Sequence, residues 1–314
     1  MRIVSADDIH KALTYRGLID ALAEAFQSDI EVPVRHHHTI EQPGTDATLL
    51  LMPAWNEDGD RFIGCKIVTV FPDNAKAQRP SVHGQYLLLS GETGEPLAMM
   101  DGRALTVWRT ACASALASRY LSREDASHLV MVGAGALAPH LIRAHSSVRP
   151  IKRVSVWNRT KARAISLGFG VALAGIEVDI AENLEEAVRE ADIVSCATLS
   201  TEPLIEGAWL KKGAHLDLVG GFTPKMREAD DQAVKRSRIF VDTRAGAARE
   251  AGDIVVPLKK KIIDAKAIKG DLFDLTGGKV KGRTSDAQIT LFKSVGTAVE
   301  DLAAAMLVWK QLSA

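Results

Sequence analysis

Apolar and polar positions change their rhythm along the chain, and each change predicts a different kind of element. Between Ser5 and Phe26, residues Ile9, Leu13, Leu18, Ala21, Leu22 and Phe26 recur at helical spacing, with Ser5 and Asp7 as candidate caps. From about Val32 to Leu105 the rhythm shortens to β-rich runs, TLLLMPAW, FIGCKIVTVF, GQYLLLS and PLAMMDG, separated by Gly, Pro, Asn and Asp clusters. That pattern predicts an antiparallel sheet built from hairpins. TVWRTACASALASRYLS then reads as a helix rich in small residues. Beyond it, short apolar strands in HLVMV, RVSVWN, VDIAEN, IVSCAT, AHLDLVGG and RIFVDT alternate with helical patterns, as in a doubly wound parallel α/β sheet. The last stretch, DAQITLFKSVGTAVEDLAAAMLVWKQL, reads as one long amphipathic helix that returns to the N-terminal part.

At 314 residues the chain is about two domains long. Its 39 basic and 39 acidic residues cancel. Without a net positive field there is no long-range attraction for nucleic acid or an anionic membrane, so neither is an expected partner. Cys65, Cys112 and Cys196 lie far apart with no CxxC spacing, which argues for reduced thiols and against a zinc site or disulfide framework. The N-terminus lacks the basic flank and apolar core of a signal peptide, and no apolar run reaches the ~18 residues that span a bilayer. The expected compartment is cytoplasmic.

HLVMV runs directly into Gly133, Ala134, Gly135, Ala136, Leu137 and Ala138, a GxGxxA element that opens a helix, and a second strand ends about 20 residues later, as a dinucleotide fold requires. Gly133 permits the tight turn, Gly135 lets the backbone approach a pyrophosphate, Ala138 allows close helix–strand packing, and the helix N-terminus offers unpaired N–H groups to the anion. The second strand ends in Asn158, Arg159 and Thr160, followed by Lys161 and Arg163, where an acidic residue would select NAD. A neutral donor followed by a guanidinium suits a 2′-phosphate, so NADP(H) is the favoured cofactor, with NAD(H) usable if Arg159 and Arg163 are only a solvated helix face.

Three cations stand in apolar or structured settings: Arg35 in EVPVRHHH, Lys66 in GCKIVTVF and Arg109 in VWRTACAS. Lys66 is the most telling, because a lysine inside an apolar strand must meet an anion or a polar cleft. Each has a plainer reading: Arg35 on a loop, Lys66 snorkelling from a strand edge, Arg109 capped by a carboxylate. His36, His37 and His38 alternate across a strand with no carboxylate or cysteine to complete a coordination set, so no metal is expected. His83 either lines a cleft or bonds a turn.

RTACASALASRYLS, the 133–138 loop, GAHLDLVGGFTPKMREAD, IFVDT and LFKSVGTAVED, in this order and spacing, resemble the ornithine cyclodeaminase/mu-crystallin family over nearly the whole chain. The resemblance implies a Rossmann-type NAD(P)-binding domain (residues 114–292) and an α+β substrate-binding and dimerisation domain made from both chain ends (1–113 and 293–314). It implies that Arg35, Lys66 and Arg109 hold the carboxylate of an amino or imino acid, with Lys66 as the catalytic candidate. Thr110, Thr198, Val219 and the KSVG residues Lys293, Ser294 and Gly296 would then join the glycine loop around the cofactor. One position departs from the cyclodeaminase pattern: those enzymes carry an Asp just after the motif matching LVGG, and this chain has Phe222. A phenyl ring cannot exchange protons; of the local carboxylates, Asp217 reads as a strand residue and Glu228 as part of the next helix.

The implied activity is therefore NAD(P)H-dependent reduction of a small cyclic imino acid, Δ1-pyrroline-2-carboxylate to L-proline and also Δ1-piperideine-2-carboxylate to L-pipecolate, with Phe222 as an apolar wall. Alternatives are a cyclodeaminase or amino-acid dehydrogenase with a relocated acid, and a non-catalytic protein binding NADPH and a small ligand. Runs such as TLLLMPAW and QYLLLS are too continuous for a sheet with one wet face, which predicts a homodimer.

Overall fold

The structure, a computed structural model, describes residues 1–171 and 175–313. Its packing divides the chain into two units, Met1–Arg109 with Ala298–Ala314, and Thr110–Thr297. These breaks fall a few residues from the 113/114 and 292/293 boundaries expected from the sequence.

The first unit begins with a strand that the helical reading of the N-terminus left out, β1 (Arg2–Val4), followed by α1 (Ala6–Ala12) and α2 (Tyr15–Ala25). Ser5 caps α1 in a reciprocal box with Asp8 rather than Asp7, and Thr14 caps α2, so two caps split the helical stretch in two. Strands β2 (Ile30–Glu31), β3 (His36–Ile40), β4 (Ala47–Asn56), β5 (Phe62–Val70), β6 (Val82–Ser90) and β7 (Pro96–Asp101) follow, then α3 (Gly102–Leu121). The sheet runs β1-β7-β6-β5-β4-β2, with β3 also paired to β4. Its β4–β7 core is the antiparallel meander that the alternation predicts, while β1 joins β7 in parallel.

Register decides which residues face inward. Met52, Lys66, Tyr86 and Met100 stand opposite one another across four strands, and so share one face. On that face Lys66, Tyr86 and Met100 are buried with Leu88. The next row, Pro53, Cys65, Leu87, Met99 and Ile3, lies on the other face, where Ile3, Ile63 and Ile67 are exposed. This outer face is apolar and only partly covered.

The second unit holds β8 (His128–Val132), α4 (Ala138–Val148), β9 (Arg153–Trp157), α5 (Lys161–Gly170), β10 (Glu177–Ile180), α6 (Leu184–Glu190), β11 (Ile193–Cys196) and β12 (His215–Leu218). It continues with α7 (Asp231–Arg236), β13 (Arg238–Val241), α8 (Arg244–Glu250), α9 (Gly252–Lys259), β14 (Ile268–Asp271), α10 (Leu272–Thr276) and β15 (Thr290–Lys293). All eight strands are parallel, in the order β10-β9-β8-β11-β12-β15-β13-β14. The fold is thus α/β and Rossmann-type, as the alternation of elements predicts.

The C-terminal stretch read as one long helix is in fact two elements. Residues 290–293 form β15, buried between β12 and β13, and the helix α11 (Ala298–Ser313) starts only after a turn in which Gly296 has φ +85°. The apolar run TLFK fits both faces of a parallel sheet, and a run that short does not separate strand from helix by periodicity. In the first unit, α11 packs on α2, β4 and β5, and covers the face that carries Lys66.

Buried polar groups in the second unit are paired in ways that explain their presence. Asp217 on β12 accepts from Ser114 Oγ (2.8 Å) and Ser195 Oγ (2.7 Å) and lies 3.2 Å from His145 Nε2, so it is a structural strand residue. Arg149 donates to the carbonyls of Ser118, Arg119 and Ser122, and Arg283 to that of Leu121, which satisfies the end of α3.

Candidate active site

The parallel sheet reverses its winding between β8 and β11, where β9 and β10 lie to one side and the later strands to the other. Dinucleotides bind beyond the C-terminal strand ends at such a point. Gly133, directly after β8, has φ +108°, and a Cβ there would stand 2.6 Å from the Ala197 carbonyl oxygen, so only glycine makes this turn. Gly135 faces open space, with nothing within 4 Å of a built Cβ. Leu137 at the start of α4 provides no side-chain cap, which leaves the helix N-terminus available to an anion. Ala138 is fully buried against the sheet. These residues fit a dinucleotide pyrophosphate on geometry alone.

At the end of β9, Asn158 accepts from the Ala134 N–H (3.2 Å) and donates to the Thr160 carbonyl (2.9 Å), tying the second-strand end to the glycine loop. Arg159 and Arg163 are exposed, and Lys161 is ion-paired with Glu182.

The loops after β11 and β12 are clamped by a residue whose setting the sequence did not reveal. Glu228 lies in the loop before α7, not in the helix, and is fully buried. Its carboxylate accepts from Thr198 N–H (2.7 Å), Thr198 Oγ (2.8 Å) and Gly220 N–H (2.8 Å). Burial pushes its pKa up to about 7, with Lys293 working against that rise. Asp253 supports it from below: Oδ1 accepts from the N–H groups of Glu228 and Ala229, and Oδ2 stands 3.4 Å from Lys293 Nζ. Lys293 is therefore inside the unit facing Asp253, while the N–H groups of Val295 and Gly296 and the Ser294 hydroxyl converge on Asp242. Val219 and Thr110 are buried, and Phe222, on the loop after β12, is 52% exposed.

In the first unit the apolar-strand lysine does meet an anion, and it comes from the far end of the chain. Lys66 Nζ lies 2.6 Å from Asp301 Oδ2. Arg109 Nη1 lies 2.6 Å from Glu300 Oε2, and its Nε 3.0 Å from Asp301 Oδ1. All four side chains are buried. Burial pulls the Lys66 ammonium below its ordinary value while Asp301 opposes it; burial likewise works to raise Asp301, but Lys66, Arg109 and Arg35 outweigh it and keep that carboxyl low. The capped reading of Arg109 is thus correct, and the snorkelling reading of Lys66 is not. Arg35 is half-buried in the segment before β3, whose His36, His37 and His38 are exposed. His83 is also exposed, on β6. Among the described residues no group of three or more His, Cys, Asp or Glu is placed to hold a metal, and no helix is long and apolar enough to cross a membrane.

The family model for ornithine cyclodeaminase/mu-crystallin proteins matches residues 1–314. The chain belongs to that family. Within it, the chain is 37% identical to a Δ1-pyrroline-2-carboxylate reductase of Colwellia psychrerythraea over 100% of both sequences. The solved structure of the Thermococcus litoralis Δ1-pyrroline-2-carboxylate reductase, in complex with NADH and L-proline, superposes with a TM-score of 0.93 at 33% identity, covering 100% of this chain and 98% of that one. An archaeal alanine dehydrogenase dimer with bound NAD gives a TM-score of 0.90 at 28% identity, covering 100% and 96%.

The Glu228 clamp makes a pH-dependent prediction. A carboxyl that titrates near 7 when folded and near 4.5 when unfolded contributes stability below pH 4.5 that is lost as pH rises through 7. Relative to Glu228→Gln, the native chain should lose about 2 to 3 kcal/mol between pH 5 and 7.5. Urea unfolding of both proteins at the two pH values measures it; parallel curves would show that Glu228 is already ionised at pH 5.

Proposed function

We propose that the protein reduces the C=N bond of Δ1-pyrroline-2-carboxylate to give L-proline, using a nicotinamide coenzyme, and that it also reduces Δ1-piperideine-2-carboxylate. The observation that carries this reading is that Glu228, Asp217 and Asp253 are all engaged elsewhere. Glu228 is held by Thr198 and Gly220, Asp217 by Ser114 and Ser195, and Asp253 by two backbone N–H groups. None is free to replace the acid that a cyclodeaminase needs at position 222 for the amine and water of deamination. Reduction of an imine asks less: the carboxylate must be held, the nitrogen must receive a proton, and water must be kept away.

Lys66, Arg109 and Arg35 are the residues we assign to the substrate carboxylate, with Lys66 as the proton-bearing group at the nitrogen. A fixed ammonium and guanidinium need no reorganisation as the iminium charge is discharged. Phe222 offers an exposed phenyl face as an apolar wall. The coenzyme, when bound at the glycine loop, supplies the hydride that reaches the imine carbon. Gly133 and Gly135 admit its pyrophosphate, and the N-terminus of α4 carries part of the countercharge.

Two finer assignments belong to the same proposal. Asn158, fixed at both ends of its amide, and the exposed Arg159 and Arg163 favour a 2′-phosphate, hence NADPH over NADH. The outer sheet face around Cys65, Leu87 and Met99 is apolar enough to need a cover, and a second copy of the chain related by a twofold axis supplies one.

Steady-state assays with both imines and with ornithine test the activity: imine-dependent coenzyme oxidation is expected, and its absence with both imines would refute the reading. Arg159→Asp should raise KM for NADPH at least tenfold, about 1.4 kcal/mol, and leave NADH nearly unchanged; an unmoved preference would make Arg159 a solvated surface residue. Light scattering at micromolar concentration should give twice the chain mass, and a monomeric mass would overturn the dimer.

A further inference from the structure

Glu300 and Asp301, adjacent residues in the first turn of α11, are both fully buried. Two neighbouring carboxylates withdrawn from water are costly unless cations meet them, and they repel each other. Their location softens the cost, because the N-terminal turn of a helix favours negative charge. The cations are those assigned above to the substrate. Asp301 divides its two oxygens between them, Oδ2 to Lys66 at 2.6 Å and Oδ1 to Arg109 Nε at 3.0 Å, while Glu300 takes Arg109 Nη1 at 2.6 Å. The quartet is electrically neutral, and Arg35, which also acts on Asp301, makes the total one positive charge.

We propose that Asp301 is a positioning residue of the reaction, which keeps Lys66 cationic and aimed while fixing Arg109, and that Glu300 serves chiefly the orientation of Arg109. The proposal rests on the functional reading above. The groups that face Lys66 are Asp301 and Glu300 from α11, Arg109 from α3, Arg35 through Asp301, and Tyr86, its cross-strand partner on β6. Arg109 repels the ammonium, burial disfavours its charge, and Tyr86 stays neutral because burial and Asp301 hold its phenol well above the ordinary value. Asp301 is the opposing influence in direct contact. Removing its charge leaves a buried lysine beside a buried arginine, a setting that releases the proton.

The test uses the full-length protein and two independent readouts. In protein labelled with 15N-lysine, the Lys66 ammonium resonance, identified by its loss in Lys66→Met, should persist through pH 8 in the native chain. In Asp301→Asn it should titrate at least one pH unit lower, with Asp301→Glu restoring it. In kinetics, Asp301→Asn should move the alkaline limb of kcat/KM down by the same amount and lower kcat at least tenfold. Glu300→Gln should raise KM for the imine and move that limb by less than half as much. An unchanged Lys66 titration in Asp301→Asn overturns the proposal, as does a limb that moves equally in Glu300→Gln. Should Asp301→Asn fail to fold, native kcat in Asp301→Glu, whose carboxylate sits one methylene further out, overturns it too. Inactivity of the native protein toward imines counts against the functional reading alone, because the resonance still reports on Asp301.

Discussion

A lysine in the middle of an apolar strand sets the terms for the first unit. Lys66 shares its inward row with Tyr86 and Met100, where an unmatched ammonium would destabilise the sheet by several kcal/mol. Its counter-charge is 235 positions further on, at Asp301, and the same carboxylate also steadies Arg109. The helix that carries Asp301 covers the inner face of the sheet with Leu302, Ala305 and Val308, so the apolar cover and the charge match arrive on one element. Neither would hold alone: the cover without the acids buries two bare cations, and the acids without the cover leave them solvated and weak.

The second unit solves a different problem, how to keep backbone N–H groups oriented at the ends of parallel strands. Its answer is buried acceptors. Glu228 holds the loops after β11 and β12, and Asp242 gathers the segment after β15. Asn158 ties the second-strand end to the glycine turn. Glu228 and Asp242 are acceptors in a dry setting, where a hydrogen bond is firm and its loss expensive.

Local chemistry was legible in the sequence wherever it was local. The glycine turn, its strand and its helix could be read because φ restrictions and periodicity act over a few residues. The meander strands β4 to β7 show as β-rich runs set off by turn clusters, and Phe222 stands out against the family resemblance. What escaped was either short or distant. Strand β1 has three residues, and β15 four, too few for a period to declare itself. Glu300 and Asp301 read as polar positions inside one long C-terminal helix, and Glu228 as another helix carboxylate. Only the tertiary fold brings each to its partners, and one signal pointed the right way: Lys66 inside an apolar strand needed an anion or a polar cleft.

That the first unit is assembled from two separated stretches of the chain has a consequence for its folding. Residues 110–297 form one uninterrupted stretch that holds all of its sheet, so the second unit can fold without strands from outside itself. The meander must wait for α11, with Lys66 and Arg109 lacking their counter-charges and one apolar face uncovered until that helix packs on it. Arg2 on β1 closes the unit by donating to the carbonyl of Leu312 on α11. Until α11 docks, the chain would therefore hold a nucleotide-type fold and an open, sticky sheet, which is the kind of transient surface that chaperones retain.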